Sequence, residues 1–359
     1  MDYFSTRGAK ERVSSAEAIL MGLASDGGLF VPASFPQMTL SEIEALRDLS
    51  YEECAVRILR LYLTDYTEEE LKGCVSRAYG HTFDDMRRAP VRTVGELDVL
   101  ELWHGPTSAF KDMALQLLPQ LMSTARAKTG ERDTILILVA TSGDTGKAAL
   151  EGFADAEGIR IMVFYPDGGV SPVQRLQMVT QEGANVSVVA VRGNFDDAQR
   201  GVKEIFGDAA MAEELARLHT KLSSANSINW GRLVPQIVYY FSAYADLLAA
   251  GKIEAGDSVN FTVPTGNFGN ILAGYYAKRM GLPVGKLVCA SNANNVLTDF
   301  LQTGIYDRQR DFYQTMSPSM DILVSSNLER LLYHLTEDTA TVAAWMKSLA
   351  EVGKYDASR

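Results

Sequence analysis

The stretch TILILVATSGDTGKAALEGFADAEG, residues 134–158, decides the fold class. Its first seven residues are apolar or β-branched without polar alternation, the pattern of a strand covered on both faces. A turn rich in small residues follows, and KAALEGFADAEG then reads as helix. The same unit recurs along the chain. IRIMVFYP (159–166) precedes a helix expected over 172–181, and NVSVVAV (185–191) precedes one near 196–206. SVNFTVP (258–264) leads through TGNFGN to the helical ILAGYYAKRMG, and GKLVCAS (285–291) follows. Serial βα units predict an α/β protein with a doubly wound parallel sheet, whose ligands sit at the C-terminal strand ends.

Residues 1 to about 90 have a different texture and read as a mainly helical unit. Ser14-Ser15 precede AEAILMGLA, Gly27-Gly28 break the pattern before Leu29-Phe30-Val31-Pro32, and further helices are expected over 41–48 and 52–62. Thr67 before Glu68-Glu69-Glu70 has the form of an N-cap with an acidic first turn. A chain of 359 residues accommodates two or three packed units sharing a cleft. With 47% hydrophobic and 22% charged residues it has ample material for a core, yet no apolar run long enough to cross a bilayer. The N-terminus lacks the apolar core of a signal peptide, so a cytoplasmic location is expected. The net charge of −11 and a pI near 5.0 argue against nucleic acid and for a small-molecule partner. Cys54, Cys74 and Cys289 are odd in number and widely spaced, as suits reduced thiols, and His81, His104, His219 and His334 lack zinc-like spacing; no metal is expected.

Four segments carry chemistry. In HGPTSAFKDMALQ (104–116) a proline-containing loop delivers Lys111 beside Phe110, where a helix, DMALQLLPQLM, begins. A lysine near apolar groups and a helix N-terminus is held partly as free amine, which imine formation requires; on charge alone, Lys111-Asp112 would instead be a solvated surface pair. In TSGDTGKAAL (141–150) small residues let main-chain N–H groups approach an anion such as a carboxylate. It is not a nucleotide phosphate loop, because Thr141 and Ala148 stand where that motif needs Gly and Ser or Thr. The third loop, Gly266, Asn267, Phe268, Gly269 and Asn270, lies between a strand and a helix, where main-chain N–H groups wrap a phosphate. It lacks the dinucleotide pattern. In SSANSINWGRLVPQ (223–236), Arg232 follows Ser227 by five residues, so both reach one dianion across a helix start; the plain alternative is an N-capped helix with a surface arginine.

Together with ASDGGLFVP (24–32), the stretches ELWHGPTSAFKDMALQ (101–116), ATSGDTGKAAL (140–150), SSANSINWGRLVPQI (223–237) and VPTGNFGNILAG (263–274) resemble, in order, the threonine synthases, pyridoxal-phosphate enzymes of the tryptophan-synthase-β fold type, fold type II. The resemblance implies pyridoxal 5'-phosphate bound through Lys111 as Schiff-base lysine, with Gly266, Asn267, Phe268, Gly269 and Asn270 holding its phosphate. It places the substrate on Ser108, Thr141, Ser142, Gly143, Asp144, Thr145, Ser227, Asn229 and Arg232. The substrate implied is O-phospho-L-homoserine, converted with water to L-threonine and phosphate by γ-elimination and β-addition, the work of a carbon–oxygen lyase. Lys111 would remove the α-proton. Relatives of this kind carry, further on, a Thr or Ser that contacts the pyridine nitrogen in a Thr-Ala-x-Pro-like motif. None follows Gly269, so the C-terminal end of the cofactor domain is expected to be missing.

The resemblance divides the chain into a helical unit over 1–92, a large cofactor-binding domain over 93–138 and 226–359, and a smaller substrate domain over 139–225, as monomer or homodimer. Two other activities fit the same motifs: a phospho-lyase releasing a 2-keto acid, and a catalytically incompetent fragment that binds pyridoxal phosphate.

Overall fold

The computed structural model describes residues 1–141 and 143–358, with the main chain alone at 196. The N-terminal portion pairs β1 (Tyr3–Ser5) antiparallel with β2 (Phe30–Pro32) and adds helices α1 (Ser15–Met21), α2 (Leu40–Glu44), α3 (Tyr51–Tyr62) and α4 (Glu68–Tyr79). Each helix is entered through a capping box. Ser14, Thr39, Ser50 and Thr67 accept from the N3 amide while Glu17, Glu42, Glu53 and Glu70 reach back to the cap. The helix expected over 41–48 starts at Leu40 and tightens into a 3₁₀ turn over Ala45–Asp48.

A hairpin, β3 (Val91–Val94) and β4 (Leu97–Leu100), leads to α5 (Asp112–Leu115) and α6 (Leu118–Thr129). The sequence pattern made these one helix. Pro119 has no amide hydrogen to offer and its ring crowds the carbonyl four residues back, so the helix stops and restarts with proline in its first turn.

The parallel sheet is built from β5 (Thr134–Ala140), β6 (Ile159–Pro166), β7 (Val186–Val191) and β8 (Thr220–Ser223), in the order β7-β6-β5-β8. Its helices are α7 (Asp144–Phe153), α8 (Pro172–Val179), α9 (Phe195–Gly207) and α10 (Ala209–Arg217). Alternate residues of β5 serve two cores. Ile135, Ile137 and Val139 enter the main cluster, while Leu138 and Ala140 pack with Ala198 and Val202 of α9. That two-sided burial is why the strand reads as continuously apolar.

Next comes α11 (Trp230–Ala249), which the sequence reading did not delimit. Eighteen of its 20 residues are buried, as expected for a helix apolar on all sides, and it packs on α3, α5 and α12 (Gly269–Arg279). Strand β9 (Val259–Pro264) pairs in parallel with β10 (Val284–Ala290). The chain then runs through α13 (Val296–Thr303), β11 (Ile305–Asp307), α14 (Leu328–Thr336), α15 (Thr339–Glu351) and β12 (Lys354–Asp356). No described helix is long and apolar enough to cross a membrane. Strands β5 and β9 both end at glycine-bearing loops, and Asp144 after β5 and Pro264 at the end of β9 line one cavity with Ser108 and Phe110 of the loop that carries Lys111.

Candidate active site

Lys111 sits at the head of α5 with 8% of its surface exposed. Asp112 behind it is fully buried, so the pair is not a solvated one. The Asp112 carboxylate organises the loop: Oδ2 accepts from the Thr107 amide at 2.8 Å and Oδ1 from the Thr107 hydroxyl at 2.7 Å. Gly105 permits this packing, since a Cβ there would stand 2.4 Å from Asp112 Cβ. Within the loop Ser108 takes a φ of +55°, which only strong surroundings impose on a non-glycine residue. The Lys111 amine lies 4.8 Å from the Phe110 ring centroid and 3.6 Å from Asp144 Oδ2. Burial pulls its pKa down to about 8; Arg232 adds to the lowering, and Asp144 and Asp112 oppose it. A lysine so placed is part ammonium and part free amine near neutrality.

The loop after β5 supplies Asp144 at the start of α7. Gly143 before it has φ +142°, and its Cβ position is filled by the Gln174 side chain, 2.4 Å from the ideal Cβ site. Gln174 Nε2 donates to Asp144 Oδ1 at 2.6 Å. The Thr141 hydroxyl is used inside the turn, accepting from the Gly143 and Gly146 amides at 3.0 and 2.9 Å. Thr145, half-buried, makes no side-chain hydrogen bond among the described residues. Ser142, expected to touch substrate, lies outside the described residues.

The loop after β9 turns through Phe268, at φ +65°, into the N-terminus of α12. Two residues hold it: Ser325 Oγ donates to Gly266 O at 2.7 Å and Asn327 N donates to Asn267 O at 3.1 Å, while Asn327 Nδ2 donates to Ser227 O at 2.9 Å. The Asn270 side-chain oxygen accepts from the hydroxyls of Tyr239 and Tyr240 at 2.6 and 2.9 Å. Ser227 Oγ stands 3.4 Å from Ser326 Oγ beside Gly269. Arg232 is buried rather than on the surface, with Nη1 on Ala225 O at 2.6 Å and Nε without a partner. Asn229 is fully buried and wholly committed to the main chain: it caps α11 by accepting from Gly231 N at 2.8 Å and donates to Ile19 O and Ser224 O at 3.0 and 2.8 Å. This structural use accounts for its place at the start of α11.

A cavity of about 450 Å³ opens where these loops meet, lined by Ser108, Phe110, Asp144, Pro264 and the 316–320 turn. Lys111 flanks it between Phe110 and Asp144. The residues fit the cofactor that the sequence resemblance implies. The buried Lys111 amine lies against Phe110 and Asp144 of the cavity wall, two glycines open the loop at a helix N-terminus, and Arg232 Nε and Asn226 Oδ1 are buried polar atoms without partners. Sequence reasoning passed over Gln174, Asp112, the 316–320 turn and the Ser325–Asn327 clasp. Ser171 and Gln174 do carry a helix-start signature, but nothing in it reveals the contact with Asp144.

Two family models match the chain, "Threonine synthase N terminus" over residues 2–79 and "Pyridoxal-phosphate dependent enzyme" over 97–356. The chain is 44% identical over 354 residues to a threonine synthase of Schizosaccharomyces pombe, covering 93% of this chain and 67% of the relative. It is 47% identical over 329 residues to the human threonine synthase-like 1, covering 89% of this chain and 44% of that protein. The chain thus spans about two thirds of the first relative's length and under half of the second's. The crystal structure of pyridoxal-phosphate-bound threonine synthase from Brucella melitensis superposes with a TM-score of 0.90 at 44% identity, covering 100% of this chain and 75% of that one. Motifs, architecture and relatives agree, and the chain belongs to the threonine synthase family of pyridoxal-phosphate-dependent, fold type II lyases.

Proposed function

We propose that the chain converts O-phospho-L-homoserine and water to L-threonine and phosphate, with Lys111 as the reacting amine. The observation that carries this reading is the buried Lys111 amine, held between Phe110 and Asp144, two residues of the cavity wall that Pro264 at the end of β9 also lines. The cofactor supplies an aldehyde for the substrate amine and a ring that accepts the electron pair left by the departing α-proton. Lys111 Nζ, with a pKa brought down to about 8, takes that proton from Cα and returns it further along the chain of carbons. Main-chain N–H groups of Asp144 and Thr145 at the start of α7 orient the substrate carboxylate, and Ser108 lines the same cavity. The loop of Gly266, Asn267, Phe268 and Gly269 holds the cofactor phosphate at the N-terminus of α12. Ser227 and Arg232, whose Nε is free, face the substrate phosphate. Asn229 keeps their turn in shape.

The same reading divides the chain into a helical unit, a cofactor domain and a smaller substrate domain. The pairing of β5 with β6 and β8 supports starting the smaller domain at about residue 134. It further takes the protein to be cytoplasmic, supported by three free cysteines, and a monomer or homodimer.

Two measurements test the proposal. Borohydride reduction of the protein with pyridoxal phosphate, followed by peptide mapping, is expected to mark Lys111, and Lys111→Ala to abolish both the mark and turnover. Incubation with O-phospho-L-homoserine is expected to yield threonine. A 2-keto acid with ammonia in its place would establish the phospho-lyase reaction, and a marked Lys111 without turnover would establish a binding-only protein.

A further inference from the structure

From the contacts around Asp144 we infer that Gln174 is a positioning residue for the reacting amine, its side-chain amide pinning the Asp144 carboxylate in front of Lys111 and tying helix α8 to that pair. The inference rests on Lys111 as the reacting amine and adds a residue outside the four motif segments. Gln174 uses both ends of its side chain. Oε1 accepts from the Ser171 amide at 3.2 Å, closing the capping box of α8, while Nε2 donates to Asp144 Oδ1 at 2.6 Å. The other Asp144 oxygen is the one 3.6 Å from Lys111 Nζ. An amide donor on one oxygen therefore fixes the rotation that presents the second to the amine. Gly143 makes room for this, because any side chain there would occupy the volume of the Gln174 amide.

Helix α8 has little else to hold it. Met178 is its one buried residue, and Val173, Leu176 and Val179 lie on the outside. The polar tie through Gln174 thus registers an otherwise lightly anchored helix, whose Gln177 lines the cavity, on the charge beside Lys111. Other charged groups close to Lys111 are accounted for by element. Helix α7 adds Lys147, paired with Glu151 at 2.7 Å; α11 adds Arg232; α5 adds Asp112, held by Thr107; Arg175 of α8 is exposed. Among them Asp144 opposes the loss of the Lys111 proton most, so freeing its carboxylate to swing towards solvent lowers the pH at which the amine is released.

The test reads Lys111 itself, by competitive acylation of the full chain without cofactor across pH and mass spectrometry of the Lys111 peptide. Asp144→Asn is expected to move the labelling midpoint down by about one unit, the scale for an opposite charge at this distance. Gln174→Met, which keeps the packing on Gly143 but removes the donor, is expected to move it the same way by about half as much. Gln174→Ala serves as a second variant if the methionine is not tolerated by the fold. A Gln174 variant with an unchanged melting temperature and an unmoved or raised midpoint overturns the inference. Borohydride marking of a lysine other than 111 would instead refute the reacting-amine assignment, and the two failures are thereby separate.

Discussion

Lys111 shows how surroundings change a side chain's chemistry. Its ordinary pKa of 10.5 falls to about 8 because the folded chain withdraws the amine from water faster than Asp144 and Asp112 compensate. A lowered lysine pKa means that the unfolded chain binds the extra proton between about pH 8 and 10.5. The burden on stability is therefore full below pH 8 and is relieved as pH rises through that window. Lys111→Met is accordingly expected to abolish activity and to raise stability at pH 7 by about 1–3 kcal/mol, an advantage that shrinks by pH 10; chemical denaturation at the two pH values checks it. Asp112 makes the complementary case. It forms no part of the reacting set, but its carboxylate shapes the 107–109 turn, and burial raises its pKa. Asp112→Ala is expected to release the strained Ser108 turn and to lower kcat at least tenfold, with a smaller change in the melting temperature.

At the level of elements, the site hangs on where helices begin. Lys111, Asp144, Asn229 and the Phe268–Asn270 turn all stand at helix N-termini, so the start of each helix also sets where a candidate site residue lies. Asn229 is the clearest example, since one buried side chain ends α1's last turn, turns the 224–229 segment and starts α11. Asn229→Ala is expected to destabilise the protein by roughly 2 kcal/mol or more while leaving the substrate KM of the surviving folded enzyme near its original value. Steady-state kinetics beside thermal melts separates these effects. A large rise in KM at an unchanged melting temperature would return Asn229 to the substrate.

Across the whole molecule, the N-terminal portion supports the 266–270 loop from behind. Arg330 is fully buried; Nε donates to Phe30 O at 2.9 Å, Nη2 to Ile228 O at 2.6 Å, and Nη1 to the Asn327 side chain that braces Ser227. Beside it Glu329 accepts from Thr6 at 2.6 Å and pairs with Arg7 at 2.8 Å, joining residues more than 320 positions apart in sequence. Arg330→Met is expected to cost roughly 3 kcal/mol and to weaken retention of pyridoxal phosphate about tenfold, read by spectral titration of the stripped protein.

What the chain states on its own is whatever local physics encodes. The apolar run of 134–140, the Ser, Thr and Glu of the capping boxes, and the small residues after two strands each describe their own environment within a few positions, and the βα architecture follows from them. The Lys111, Asp144 and 266–270 segments stood out only through their ordered resemblance to the threonine synthases, since each alone also had a plainer reading. What only the folded molecule decided are the partners drawn from afar: Gln174 on Asp144, Asn327 on Ser227, Arg330 on Phe30, and the burial of Arg232 and Asp112. These contacts depend on which surfaces lose water together, and a single stretch of sequence carries no record of the neighbour that will dry it.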